Sequence, residues 1–256
     1  MRVLFWYLSY SLSLGTDGND NVKILAISDI HDEFAAFAPE TLPDADVCLI
    51  AGDLTNYGMR GEWQLSGEDR EIFATALQAG KTDSIWAASE MTRAKHWLQE
   101  MARRYPIFWI PGNHDIGVKP DTFGDIPNCV CLLETLKTFG GFRMFGVSMT
   151  PCYDSPYLAK MWDYMTADRN VEQAAFDFEP VDIVVSHGPP YDCVDGGMKL
   201  LNGERPRLGS PALRAYIERH APRLVICGHI HEANGVDRIG ETLIVNVARS
   251  WRIIEL

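Results

Sequence analysis

Short runs of apolar residues, each bounded by polar residues, recur along the chain in a pattern typical of buried β-strands. The first run is Val22–Ser28, with the sequence VKILAIS. Further runs of the same kind lie at 47–51, 107–110, 142–147, 181–186, 224–227 and 242–247. We therefore predict strands that are distributed over most of the chain.

Helical patterns lie between several of these runs, at residues 70–79, 87–105, 171–176 and 210–220. The last begins with Ser210 and Pro211, which favour a helix start because serine caps a helix and proline fits its first turn. Alternating strands and helices indicate the α/β class. We expect residues 22–256 to form one domain, with a helical insertion at about 58–100 that could cover a site or contact a partner.

The first 21 residues are expected to form an N-terminal extension or connector. Residues 1–15 carry one arginine and a mostly apolar stretch, but serines interrupt this imitation of a secretory signal and no clear cleavage site follows. A signal peptide, an ordered extra strand or docked arm, and a start-site artefact are the alternatives. We expect a cytoplasmic protein, or a secreted or periplasmic one if residues 1–15 act as a signal.

The composition is that of an ordinary globular protein, with 46% apolar and 23% charged residues. The 256 residues carry a formal net charge of -12, which disfavours binding to a long nucleic acid because such binding needs many lysine and arginine contacts to phosphates. The six cysteines form no C-x-x-C pair, and we expect reduced structural thiols. Any anionic substrate must therefore be attracted by a local feature.

Five of the seven histidines directly follow predicted strands, in the short polar clusters SDIHD, GNHD, SHG and GHIH. The pair Gly52-Asp53 follows another strand in the same way. Ligands of α/β sheets bind beyond the carboxyl ends of the strands, so these clusters are expected to converge on one rim. Aspartate, histidine and asparagine suit divalent metals, and the adjacent glycines would permit a sharp turn after each strand. His96 and His220 lie in helical patterns and are interpreted as surface or packing residues.

The spacing within two clusters, D-x-H at 29–31 and H-x-H at 229–231, would place both side chains on one face of an extended segment. Two ligands could then reach the same ion or adjacent ions. The candidate metal ligands are Asp29, His31, Asp53, Asn113, His187, His229 and His231. They are too many for one tetrahedral zinc, and they suit two ions that share a bridging carboxylate.

These clusters resemble the signature of the calcineurin-like metallophosphoesterase superfamily, whose five blocks are present in order as SDIHD, AGDLTN, GNHD, SHGPP and GHIHE. The resemblance covers about residues 22–256. The last two blocks and the segment between them are most similar to the small metallophosphodiesterase-domain (MPPED-like) branch. Some animal relatives in that branch lose a histidine of the last block, whereas His229 and His231 are both present here. The 60 positions from Asp53 to Asn113 exceed the spacing in many compact members, which leaves the lid and the substrate size open.

The resemblance implies a four-layer α/β/β/α sandwich, in which two mixed sheets pack face to face with helices outside. It implies two divalent ions that share Asp53, one also held by Asp29, His31 and His231, the other by Asn113, His187 and His229. A hydroxide between the ions would be the nucleophile, because a bound metal lowers the pKa of water to about 7. His114 would contact substrate and assist the leaving oxygen, and Asp115 would orient His114 or fix its loop.

The leading functional hypothesis, which depends mainly on the branch resemblance, is hydrolysis of small phosphodiesters, with cyclic nucleotides among the candidates. The alternatives are a phosphomonoesterase or protein phosphatase, a nuclease, or a non-catalytic scaffold. The metals could be manganese, iron, zinc, cobalt or nickel, since nitrogen and oxygen ligands accept all of them. Asn56 and Tyr191 are candidate substrate contacts, as are Tyr57, Tyr153 and Trp162. We expect a small phosphoester as partner, and neither a membrane nor a long nucleic acid.

Overall fold

The computed structural model describes residues 22–56, 85–201 and 203–256, together with the two-residue strand Leu12–Ser13. The predicted helix at 70–79, most of the predicted insertion and most of the N-terminal extension lie outside the described residues. Within them, each predicted apolar run forms a strand, and the helical patterns at 87–105, 171–176 and 210–220 form helices.

The strands in chain order are β1 (Leu12–Ser13), β2 (Lys23–Ser28), β3 (Val47–Ile50), β4 (Ile107–Trp109), β5 (Cys129–Cys131), β6 (Leu136–Phe139), β7 (Phe142–Val147), β8 (Thr150–Pro151), β9 (Met165–Thr166), β10 (Ile183–Ser186), β11 (Leu224–Cys227), β12 (Gly235–Ile239), β13 (Thr242–Asn246) and β14 (Ser250–Glu255). The α-helices are α1 (Ile85–Ala102), α2 (Leu158–Met161), α3 (Arg169–Ala175) and α4 (Pro211–His220). None of the helices in the described ranges is long and apolar enough to cross a membrane.

Two mixed sheets contain most of these strands. The first has the order β1-β14-β2-β3-β4-β5, and its strands β2 to β5 run parallel. The second has the order β12-β13-β11-β10-β7-β6, with parallel strands in the middle and antiparallel strands at both edges. The parallel strands place their carboxyl ends at a common edge of each sheet.

Side chains that alternate along the central strands build three apolar layers. Ile24 and Ala26 of β2 face the second sheet, where they pack in one cluster with Val185 and Ile226. Their neighbours Leu25 and Ile27 face the other way and pack with α1 residues Leu98 and Met101. On the outer face of the second sheet, a third cluster joins Val184, Val225 and Ile244 with α4 residues Leu213 and Ile217. The order helix, sheet, sheet, helix confirms the four-layer α/β/β/α fold.

Helix α4 starts and ends by local signals in its sequence. The Ser210 side chain accepts a hydrogen bond from the backbone nitrogen of Leu213 (2.9 Å), and Pro211 occupies the first turn, as predicted. Ala221 ends the helix in the left-handed conformation, with φ of 45°. His220 packs its ring against Tyr216 on the same helix, whereas His96 on α1 is exposed, so neither lies among the strand-end clusters.

Candidate metal centre

The seven candidate ligands lie directly beyond the carboxyl ends of five parallel strands. Strands β2, β3 and β4 of the first sheet lead to Asp29 with His31, to Asp53 and to Asn113. Strands β10 and β11 of the second sheet lead to His187 and to His229 with His231. The side chains therefore meet where the ends of the two packed sheets come together.

One half of the centre is built around the imidazole of His31. Its Nε2 atom lies 3.7 Å from Asp29 Oδ1, 3.7 Å from Asp53 Oδ2 and 3.1 Å from Nε2 of His231. The same His231 nitrogen lies 3.0 Å from Asp29 Oδ1. Four donor atoms from three strand ends thus surround one small space.

The other half is built around His187, whose side chain is fully buried. Its Nδ1–H donates to the carbonyl oxygen of Ala51 at 2.8 Å, so the lone pair of the neutral ring lies on Nε2. This Nε2 faces Asn113 Oδ1 at 2.9 Å and Asp53 Oδ2 at 3.5 Å, and both of these oxygens are acceptors. Three acceptors that face one another repel unless a cation lies between them, so this arrangement fits a metal.

The separations between these atoms, 2.9 to 3.7 Å, are close to those of ligands on a common ion. Two atoms that each lie about 2.1 Å from one metal are about 3.0 to 3.5 Å apart at octahedral and tetrahedral angles. Three overlapping groups have ligand atoms within 4.8 Å of one another: Asp29, His31 and His231; His31, Asp53 and His114; and Asp29, Asp53 and His187. His229 is in none of these three groups, and its ring lies 5.0 Å from that of His187.

The backbone at the rim differs from the extended conformation that the D-x-H and H-x-H spacing predicted. Asp29, His31 and His229 adopt the left-handed region, with φ of 56°, 48° and 67°. His231 opens a 3-10 turn rather than continuing a strand. The prediction of an extended segment was therefore wrong. The side chains converge because each chain segment turns sharply at the strand end, and such strained conformations cluster at functional sites.

The glycines beside the ligands act differently from one another. Gly52 has φ of +102°, a conformation that favours glycine, as the turn prediction required. Gly112 has no such φ, but a Cβ atom there would collide with Asp53 Oδ1 and approach His187 Cε1 to 2.6 Å. At Gly228, a Cβ would collide with the side chains of Ser28 and Asp29. The chain does turn after both of these glycines, but without a positive φ, and the reason for glycine there is space beside a ligand.

The two central aspartates differ in their electrostatic environment. Burial raises the pKa of Asp53 well above its usual range, and the nearby charges of Asp29 and Asp115 raise it further. Burial also acts to raise the pKa of Asp29, but contacts with His231 and His31 outweigh it and hold that pKa well below the usual range. A bound cation would stabilise both carboxylates in the charged form.

Two histidines that follow strands of the second sheet, the buried His187 and the partly buried His229, are held in the neutral form that binds metals. Burial lowers the pKa of His187, and burial together with the neighbouring histidine His187 lowers the pKa of His229 to about 3. Both rings are therefore ready to coordinate near neutral pH.

His114 stands beside these ligands, with its ring 4.8 Å from that of His31 and 4.3 Å from that of Trp162. Burial, followed by the nearby histidines, lowers its pKa to about 2, so the ring is a neutral hydrogen-bond donor in the free protein. Asp115 makes contacts that fix the loop. Its carboxylate accepts from the backbone nitrogens of Gly112 (2.8 Å), Thr55 (2.8 Å) and Leu54 (3.2 Å).

The candidate substrate contacts are dispersed. Asn56 donates its backbone nitrogen to Glu90 (3.1 Å), and Tyr191, 45% exposed, donates its own to the carbonyl of Ser210 (3.0 Å). Tyr153 donates its hydroxyl to Glu172 and lies under the guanidinium of Arg169. Among the described aromatic candidates, Trp162 is the one in ring contact with a strand-end residue, and Tyr57 lies outside the described residues.

Sequence reasoning missed Asn246, which supports the last ligand cluster. This fully buried residue ends β13 and donates to the carbonyls of Ile230 and Val194, both at 3.1 Å, while its own oxygen accepts from the backbone of Ala248 at 2.9 Å. It therefore fixes the turn between His229 and His231. The signal was present, since Asn246 is a polar residue at the end of an apolar run, as the ligands are.

Comparison with known proteins agrees with this geometry. The UPF0046 protein K07C11.7 of Caenorhabditis elegans is 27% identical over 91% of this chain and 72% of its own length. Metallophosphoesterase domain-containing protein 1 of Homo sapiens is 25% identical over 88% of this chain and 65% of its own, so this chain spans just under two thirds of that relative. Both relatives support the MPPED-like branch.

Solved structures share the fold. One crystal structure covers 90% of this chain and 91% of its own, with a TM-score of 0.60 and 16% identity. That of TT1561 from Thermus thermophilus covers 90% of each chain, with a TM-score of 0.51 and 18% identity. The sequence profile described as calcineurin-like phosphoesterase matches residues 22–233, which include every candidate ligand. The chain therefore belongs to the calcineurin-like phosphoesterase family.

Proposed function

We propose that this metal-dependent phosphoesterase hydrolyses small phosphodiesters at a centre of two divalent ions. The observation that carries the proposal is the overlap of the ligand groups: Asp53 Oδ2 faces His31 on one side (3.7 Å) and His187 on the other (3.5 Å). A carboxylate placed between two sets of donors suits a bridge between two ions. Family membership supports metal-dependent phosphoester hydrolysis, and the number of ions and the type of ester are our proposal.

The two ions would lower the pKa of a water molecule and neutralise phosphoryl oxygens. The chain itself prepares the site for this chemistry. Its neutral histidines present lone pairs, the Ala51 carbonyl fixes the tautomer of His187, and Asp115 ties the Asn113 loop to the segment after Asp53. His114, neutral and beside His31, is placed to donate a hydrogen bond to a bound ester or its leaving oxygen.

The charge balance of the centre favours a diester over a monoester. In the described part of the chain, the recorded contacts of the ligand side chains include carboxylates and imidazoles but no lysine or arginine. Bound ions would then be the local cations, set against the acids Asp29, Asp53 and Asp115. Two dications would exceed these three carboxylates by one positive charge, which matches the single negative charge of a diester, whereas a monoester carries up to two.

The size of the substrate follows from where the positive charge would be. The chain as a whole carries a net charge of -12, and the attraction for phosphate is confined to the rim. Screening at physiological salt limits such attraction to about 8 Å, which suits a small ester better than a long polyanion.

The test compares the rates at which the protein hydrolyses different esters. The protein is first stripped of metal with a chelator and then reloaded with Mn²⁺, and its metal content is measured. We expect faster hydrolysis of bis-p-nitrophenyl phosphate than of p-nitrophenyl phosphate, and no hydrolysis by the stripped protein. Faster hydrolysis of the monoester would replace the proposal with a phosphatase, and preferential cleavage of a single-stranded oligonucleotide with a nuclease. No turnover with two ions bound per chain would indicate a scaffold.

A further inference from the structure

We infer that Trp162 is a positioning residue that holds the His114 imidazole in the orientation from which it meets the leaving oxygen. The inference rests on the proposed function, because it assumes that His114 acts on a bound ester. Its structural part, that the indole fixes the ring, is independent of the substrate.

The His114 ring contacts two other rings. The Trp162 ring lies at a centroid distance of 4.3 Å with an interplanar angle of 45°, and the His31 ring meets it edge to face at 4.8 Å and 89°. Aromatic rings at such distances attract each other beyond simple burial. The two contacts therefore restrict rotation of His114 about its side-chain bonds.

Hydrogen bonding does not supply this restraint. The Nδ1 atom of His114 is buried and has no hydrogen-bond partner among the described residues. The backbone nitrogen of His114 donates to Asp53 Oδ1 (2.8 Å), which fixes the main chain but leaves the side-chain torsions free. Asp115, the residue that the sequence suggested as an orienting partner, directs its carboxylate to Gly112, Leu54 and Thr55 instead. Packing against the rings of Trp162 and His31 is thus the restraint on the His114 ring that the described residues provide.

Trp162 can act in this way because its own segment is tied to the His114 loop. The two residues after it bind the loop backbone: Asp163 Oδ2 accepts from the nitrogen of Gly117 (2.8 Å), and the Tyr164 hydroxyl donates to the carbonyl of Val118 (2.6 Å). Tyr164 is held in turn through its carbonyl, which accepts from the nitrogen of Thr150 (2.8 Å). Asp163 and Tyr164 therefore hold the segment that carries Trp162 against the loop that carries His114, and the indole contacts the imidazole.

The experiment separates positioning of His114 from general support of the fold by changing the leaving group. The p-nitrophenolate of bis-p-nitrophenyl phosphate leaves without help, whereas a ribose oxygen of 2′,3′-cyclic AMP leaves as an alkoxide and needs a donor. We expect Trp162→Leu to lower kcat for the cyclic nucleotide by about 100-fold and for the aryl diester by less than about threefold, with metal content unchanged. His114→Ala should lower kcat for the cyclic nucleotide by at least as much, and the double variant should lose no more than His114→Ala alone.

The controls keep aromatic character or remove a tryptophan elsewhere. Trp162→Phe retains a ring over the imidazole and should recover most of the activity, and Trp251→Leu removes another half-buried indole, on β14, and should lower both rates equally or not at all. A second readout needs no turnover: in protein labelled with ¹³C-histidine, the His114 ring signal should shift and broaden in Trp162→Leu but not in Trp251→Leu.

Equal loss on both diesters in Trp162→Leu, or no loss on either, overturns the inference. If wild-type protein hydrolyses neither diester, the proposed function fails, and the ring signal alone then decides. A His114 signal that stays sharp and unshifted without the indole shows that Trp162 does not hold the ring.

Discussion

Asp53 and Glu172 are both buried carboxylates, but their partners differ in kind. Glu172 on α3 accepts hydrogen bonds from the hydroxyls of Tyr153 and Ser210 and from the backbone nitrogen of Ala212 (3.4 Å). Asp53 accepts one backbone hydrogen bond, from His114 (2.8 Å), and directs its other oxygen toward the nitrogens of His187 and His31 at 3.5 and 3.7 Å. One acid is surrounded by neutral donors, and the other lies among other metal-binding groups.

The difference separates a structural acid from a ligand. Burial raises the pKa of both groups, but at Asp53 the charges of Asp29 and Asp115 raise the pKa further. Like charges gathered in the interior are unfavourable unless a cation joins them. Burial alone therefore does not distinguish a metal-binding carboxylate from a structural one. An incomplete set of hydrogen-bond donors and a second acid close by do distinguish it.

The largest effect is expected from removing one charge at each of the two acids. Asp53→Asn should lower hydrolysis of bis-p-nitrophenyl phosphate by about 10³-fold or more, with a parallel loss of bound metal, because the proposed bridge loses its charge. Glu172→Gln makes the same chemical change and should keep both metal content and turnover near the wild-type values. Elemental analysis and initial rates measure the two variants side by side, and equal behaviour would remove the distinction between these acids.

A smaller effect should follow from crowding the ligand without altering it. In Gly112→Ala the new methyl group would collide with Asp53 Oδ1 and press on the His187 ring, so we expect metal affinity to fall by about 10- to 100-fold. Gly235→Ala is the matched control, since its methyl group would meet neighbours at 3.6 and 3.9 Å, which is ordinary contact. Titration with Mn²⁺ gives both affinities. An unchanged affinity for Mn²⁺ in Gly112→Ala would show that Asp53 and His187 can move away from the methyl group without losing the metal.

The smallest expected effect is on the free energy of unfolding, through the protonation of Glu172. Burial raises the pKa of Glu172, so the folded state favours its protonated form. The stabilisation is present below the ordinary glutamate pKa of about 4.3 and is lost as pH rises through the folded value. The free energy of unfolding of wild type, measured against that of Glu172→Gln by urea denaturation, should therefore fall as pH rises from about 4 to about 7. A difference that stays constant over this range would contradict the assignment.

The fold and the convergence of the ligands were predictable from the sequence because both follow from local patterns. Apolar runs marked the strands, and the rule that parallel strands end at a common edge brought Asp29 and His229 together across two hundred residues. Strand β14, with the sequence SWRIIE, was missed because polar residues interrupt its apolar run.

What the sequence did not predict depends on contacts between distant segments. The period-two rule applies only while a strand continues, and β2 ends at Ser28, one residue before the first ligand. The space around Gly228 is limited by Ser28, and the contact of Trp162 with His114 joins loops that follow different sheets. No local signal records such approaches, since they arise when the two sheets pack.

The left-handed backbone at Asp29, His31, Asp53 and His229 has a consequence for how this site could change over time. A non-glycine residue in that region costs on the order of 1 to 3 kcal/mol, which the surrounding core must outweigh. At these positions stability and function oppose each other: glycine would relax the main chain and remove a ligand. A chain that bound no metal would therefore gain stability by losing these side chains.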